Sequence, residues 1–267
     1  MIDIGANLAH ESFSHDLPQV LQRAWDAGLE AIVVTGSSRT SNTAAAALCT
    51  LAPGRLFSTA GLHPHHANEW GPEDAALIRE LAQLPQLVSL GECGLDYFRD
   101  LAPRADQRRA FSAQLALAAE LGKPVFLHQR DAHTDFLPIL REYRPQLKNV
   151  CVHCFTDNGE AMADYLALGC HIGITGWVCD ERRGGPLRAL IPQLPMAALM
   201  IETDAPYLLP HNLPKGLAPL RSRRNEPGLL PYVAQALATL YDCTAAELGK
   251  ATAENSRRFF ALPAQAA

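Results

Sequence analysis

The chain has 267 residues, 48% of them hydrophobic and 19% charged, with a formal net charge of −5 at pH 7, which suits one large globular domain and excludes a disordered chain. No apolar run reaches the roughly 18 residues of a membrane span, and the N-terminus has no basic start or signal-peptide core, so a cytoplasmic protein without membrane attachment is expected. The acidic balance argues against a wide grip on duplex phosphates, but leaves room for a small pocket that takes one nucleotide end.

In chain order, short runs rich in Val, Ile and Leu fall at 1–4, 31–35, 56–61, 87–91, 124–127, 149–152, 170–174 and 198–202. Near-continuous apolar runs of this length are the mark of buried parallel strands. Between them the spacing predicts helices over 17–27, 40–51, 72–84, 105–121, 135–143, 159–168 and 186–191. Strands alternating with helices in this way predict an α/β fold, a (β/α)8 TIM barrel, as a single domain over 1–267. A doubly wound open sheet is the competitor. It places ligands at its topological switch point, whereas here the polar strand ends are spread around the whole set. The stretch 204–225 is Pro-rich and aperiodic, and is expected to be a functional loop after the last strand. Extra C-terminal helices are predicted from Glu226 on, with Pro227 at a helix start and Thr244-Ala-Ala-Glu247 as a capping box.

The apolar runs stop on groups that bind metals or move protons: His63, Glu92, His128, His153, Glu202 and Asp204. In a parallel barrel all strand C-termini open onto one face, so these residues are expected to converge as a divalent-metal hydrolase site. Pro64 fixes the backbone after His63, while the trailing His65 and His66 read as solvated loop histidines. Asp96 reads as a structural partner of Arg99 or of a helix start. Glu202 and Asp204 are two apart and share a strand face. Two such carboxylates resist ionising together unless a cation lies between them, and Asp204 is the first candidate to take a proton from the attacking water.

Arg130, Trp177 and the loop residues Arg182, Arg183, Arg221, Arg223 and Arg224 are candidates to receive substrate phosphates or bases. The seven cysteines form no framework, and Cys151 and Cys154 read as small strand hydrophobes in preference to a zinc or redox pair.

The segments GLHPH, GECGLDY, LHQRDAH, HCFTD, IGITGWVCDERRG, ETDAPYLLP and SRRNEP resemble the TatD family of metal-dependent deoxyribonucleases, from Asp3 to about Phe260. The resemblance implies a TIM-barrel hydrolase that cleaves phosphodiester bonds with a divalent metal, Mg²⁺ first and Mn²⁺ or Zn²⁺ as alternatives. It also implies 3′-to-5′ exonuclease action on single-stranded DNA or RNA ends and a link to DNA repair. A monomer is expected. Carried over residue by residue, Glu92, His128, His153 and Asp204 stand at metal-ligand positions, and His63 stands beside the metal and the scissile phosphate. Gly5 and Asn7 stand where many relatives carry an H-x-H pair, which implies a weaker second metal position. The alternative is a hydrolase of a C–N or C–O bond in a small molecule; the arginine clusters favour the nuclease.

Overall fold

A computed structural model describes residues 1–214, 216 and 223–263. Among these, the strands β1 (Ile2–Ala6), β2 (Ala31–Val34), β3 (Leu56–Ala60), β4 (Leu87–Asp96), β5 (Val125–Arg130), β6 (Val150–Val152), β7 (His171–Ile174) and β8 (Leu199–Ile201) form one parallel sheet in sequence order. Helices α1 (Leu17–Asp26), α2 (Arg39–Leu48), α3 (Pro72–Leu81), α4 (Arg104–Leu121), α5 (His133–Tyr143), α6 (Gly159–Ala167) and α7 (Gly185–Leu190) alternate with the strands, and α8 (Leu230–Leu240) and α9 (Ala245–Phe260) follow. The sheet closes on itself: Asp204 N donates to Gly5 O at 2.8 Å and Asn7 N to Ala205 O at 2.7 Å. Asp3, fully buried at this seam, accepts from Thr203 N (3.0 Å) and Thr203 Oγ1 (2.6 Å). The predicted (β/α)8 barrel is therefore the observed fold.

Strand alternation sorts the side chains into two cores. Ile2, Ile4, Val33, Phe57, Phe126, Cys151 and Met200 fill the barrel, and Ala253, Phe259 and Phe260 of α9 pack against them. Outward-facing strand residues such as Ile32, Leu127, Val152 and Ile172 form the second core with the surrounding helices. Local signals fix the helix ends. Ser38 caps α2, Asn158 caps α6, and Thr244 with Glu247 makes the predicted capping box on α9. A 3-10 turn at Pro227–Leu229 leads into α8, where the proline signal placed a helix start.

One strand departs from the predicted bounds in a way that builds the site. β4 does not stop at Gly91 but runs on to Asp96, paired with β5 through Asp96 and Arg130. Gly91 (φ 126°) and Gly94 (φ 150°) make this possible. A Cβ at either would run into the backbone of β5 at Phe126 or His128, and φ values as large as these suit glycine alone.

Candidate metal centre

Inward positions two apart on each strand carry the site on top of the barrel core. On β5, Phe126 is followed by His128; beyond β6, Cys151 is followed by His153; beyond β8, Met200 is followed by Glu202 and Asp204. His153 stacks on Phe126, ring centroids 4.3 Å apart, so the apolar barrel layer is its floor.

Glu92 is the hub. Its Oε1 accepts from His153 Nε2 (2.8 Å) and His128 Nδ1 (2.9 Å), and lies 3.3 Å from His63 Nε2. The ligating atoms of His63, Glu92 and His128 all lie within 4.8 Å of one another. His128 donates its second N–H to Asp96 Oδ2 (3.2 Å), and His153 its second to Glu202 Oε2 (3.3 Å). A carboxylate at both ends of an imidazole favours the doubly protonated ring. Burial opposes that charge, but Asp96 and Glu92 hold His128 above the ordinary histidine value, and Glu92 and Glu202 hold His153 well above it. Burial likewise opposes a charged Glu92, yet His63, His153 and His128 around it hold its carboxyl well below the usual range. His63 is pushed down to about 4 by burial, and its Nδ1 accepts from His65 N at 3.1 Å, so it stands neutral.

Three ring nitrogens converging on one carboxylate oxygen must be held together by protons or by a cation. The donor set, imidazole and carboxylate, is that of divalent-metal sites, so the residues fit such an ion.

Asp204 stands at the rim. Its backbone is left-handed (φ 52°), and Asn7 Nδ2 donates to its Oδ1 at 2.9 Å. Desolvation pushes its carboxyl up to about 8, with His153 and the Asn7 bond opposing and the charges of Glu92 and Glu202 assisting. Glu202, by contrast, is 0% exposed and reaches no solvent. Its Oε1 accepts from Cys154 N at 2.6 Å. A Cβ on Gly5 would lie 2.5 Å from Glu202 Oε2, and one on Gly173 2.6 Å from Glu202 Oε1. The departure from H-x-H at Gly5 thus makes room for the Glu202 carboxylate.

His65, expected to be solvated, belongs to the cluster, and Asp96 joins it while also binding Arg99 as expected. His65 Nε2 donates to Asp96 Oδ2 at 2.9 Å, while Arg99 N donates to Asp96 Oδ1 at 2.8 Å. The signal was present: His63 and His65 flank a proline two apart, and Glu92 and Asp96 are four apart on one strand face. His66 pairs at the surface with Glu69.

The expected substrate groups are spread around the mouth. Arg130 lies 4.2 Å over the Phe98 ring and lines a cavity of about 390 Å³ with Gln129, Asp157 and Pro186. Trp177, under the Arg183 guanidinium at 4.5 Å, lines a second cavity of about 290 Å³ with Asp180, His211 and Arg223. Arg224 instead bonds Asp16 Oδ1 (2.8 Å) and Oδ2 (2.6 Å), tying the loop after β8 to α1. Arg221 lies outside the described residues. The cysteines are free, and Cys151 packs inside the barrel as a small hydrophobe.

A parallel barrel whose strand ends bring imidazoles and carboxylates to one mouth defines a metal-dependent hydrolase class. Residues 2–261 match the model of the TatD related DNase family, and the chain belongs to that family. It is 49% identical over 264 residues to the "3'-5' ssDNA/RNA exonuclease TatD" of Erwinia billingiae, covering 99% of this chain and 100% of that protein. It is 47% identical to the protein of the same name from Edwardsiella piscicida, over 98% of this chain and all of the relative. Among solved structures, a TatD homologue from Escherichia coli K12 superposes with a TM-score of 0.87 at 27% identity, covering 98% of each chain. No described helix is long and apolar enough to cross a membrane.

Proposed function

We propose that this chain is a divalent-metal-dependent 3′-to-5′ exonuclease on single-stranded DNA or RNA, acting as a single barrel domain. The carrying observation is the Glu92 hub, on which His63, His128 and His153 converge at the barrel mouth. The names of relatives sharing nearly half of their residues with the chain over full length support the substrate class.

In this reading Glu92, His128, His153 and Asp204 hold the cation. Mg²⁺ serves the carboxylates, and the imidazoles suit Mn²⁺ or Zn²⁺ as well. The cation supplies Lewis-acid polarisation of the scissile phosphate. Asp204, ionised once a cation is held beside it and steadied by Asn7, takes the proton of the attacking water. His63, neutral and donating from Nε2, faces the phosphate oxygens. Glu202 touches no substrate; it holds His153 by its Nδ1–H, a positioning residue. Trp177 and Arg223 receive the strand in one cavity, and Arg130 in the other.

The test is incubation of 3′- and 5′-labelled single strands with Mg²⁺ or Mn²⁺, or with EDTA, and resolution of the products by length. Stepwise loss from the 3′ end, abolished by EDTA, is expected. Intact strands with turnover of a small amide or ester would replace this reading with the small-molecule one.

A further inference from the structure

Among the described residues, four large apolar side chains are exposed: Leu51 (58%), Phe98 (56%), Leu101 (66%) and Tyr207 (52%). Leu51 ends the turn after α2, away from the site. The other three follow β4 and β8 at the C-terminal mouth, where Glu92, Asp96 and Asp204 lie. In a ring of eight strands, β4 and β8 stand on opposite sides, so the segments that carry Phe98 and Tyr207 leave the barrel on either side of the Glu92 cluster.

Both rings are braced. The Arg130 guanidinium lies 4.2 Å from the Phe98 centroid. His10 meets Tyr207 edge-on, with centroids 5.9 Å apart and planes at 77°. Tyr207 N donates to Asp204 O at 3.0 Å, a turn that keeps the Tyr207 backbone close to Asp204. A large ring held in water on both sides of a polar pocket is a surface waiting to be covered. A planar π face backed by a cation matches one ligand chemistry in particular, an unpaired base attached to a phosphate.

We propose that Phe98 and Tyr207 are stacking platforms for two unpaired nucleobases of the substrate strand, one on each side of the metal cluster, with Arg130 beside Phe98 taking the intervening phosphate. This rests on the nuclease reading and deepens it. Every base has a π face, so the platforms accept any sequence. Paired bases keep their faces in the duplex stack, so the platforms select single strands.

The experiment compares Phe98→Ala, Tyr207→Ala and Tyr207→Phe, with Leu51→Ala as the control. Each acts on a single-stranded oligonucleotide and on the same strand carrying abasic residues at its last three positions. Each alanine variant is expected to raise KM roughly tenfold on the normal strand, the loss falling on KM in preference to kcat. Tyr207→Phe, which keeps the ring, restores KM, and Leu51→Ala matches wild type. On the abasic strand the difference between wild type and the alanine variants shrinks towards nothing. An unchanged KM in both alanine variants, or an equal loss on normal and abasic strands, overturns the platforms while leaving the nuclease standing. The second result would mean that the rings contact something other than bases. A wild type that shortens neither strand overturns the nuclease reading and this inference with it.

Discussion

At the N-terminal mouth of the barrel, Phe259 and Phe260 of α9 close over Ile2, Ala31 and Phe57. At the C-terminal mouth, a few residues further along the same strands, the interior is His63, Glu92, His128, His153 and Glu202. The first mouth removes apolar surface from water, about 25 cal/mol for each Å². The second buries charge, which opposes folding except where partners surround it. One sheet thus carries its stability at one end and its chemistry at the other. Substitutions at the two ends should have opposite signatures.

The largest effect is expected at Glu92. With Glu92→Ala, three imidazoles lose their shared carboxylate; bound metal and hydrolysis should both fall to background while circular dichroism keeps the barrel spectrum. Full activity in metal-free Glu92→Ala protein would break the comparison at once. Asp204→Asn keeps size and the Asn7 contact but removes the proton acceptor. A loss of about 10²–10⁴-fold in kcat is expected, the range for a missing general base. Steady-state kinetics at saturating metal would measure it.

Phe259→Ala is the counterpart at the other mouth. The ring is 1% exposed, and truncating a buried Phe costs about 3–5 kcal/mol. Denaturant unfolding should show that loss, while activity per folded molecule stays at the wild-type level. A Phe259→Ala protein that is stable but inactive would mean that the two ends are not separable.

A smaller effect is expected from Glu202→Gln. The carboxylate accepts from His153 Nδ1 and so leaves the other nitrogen, the one facing Glu92, for the ligand role proposed for it. An amide donor in its place favours the opposite tautomer. Loss of such an orienting partner costs about 10–100-fold in metal affinity. Titration should show weakened binding, with activity recovered at high metal concentration. If Glu202→Gln lowers kcat more than Asp204→Asn at saturating metal, the two carboxylates have exchanged roles.

The two ends also differed in how legible they were. The barrel follows from apolar runs, because a strand buried on both faces has no polar periodicity to hide it. The strand-end residues stood out because they interrupt those runs. What escaped were relations across the ring. Nothing near Gly5 or Gly173 in the chain says that both make room for Glu202. The Arg224 and Asp16 pair joins positions 208 apart, so a loop arginine that reads as a phosphate contact is a brace. β4 looked finished at Gly91 because Glu92 and Asp96 break its apolarity; it continues because those two side chains find His128 across the β4–β5 pair.

The last expectation separates the metal-free from the metal-bound protein by pH. Without metal, His128 and His153 sit above the ordinary imidazole value and Asp204 is raised to about 8. A group whose folded pKa is raised binds more protons folded than unfolded. Its contribution is complete below the unfolded value, about 6.5 for histidine and 3.9 for aspartate, and is lost as pH rises through the folded value. All three groups have the same sign and outnumber the N-terminal amine, which is lowered to about 6 and acts oppositely over this window, so metal-free protein should lose stability on going from pH 6.5 to above 8. A cation needs the same imidazoles neutral and the carboxylates ionised, so its apparent affinity should rise over that window as protons are displaced. Melting curves in EDTA and in Mn²⁺ across this range should therefore diverge, the metal-induced rise in Tm growing with pH. Parallel curves would show that the protons on the Glu92 cluster are not the ones a cation displaces.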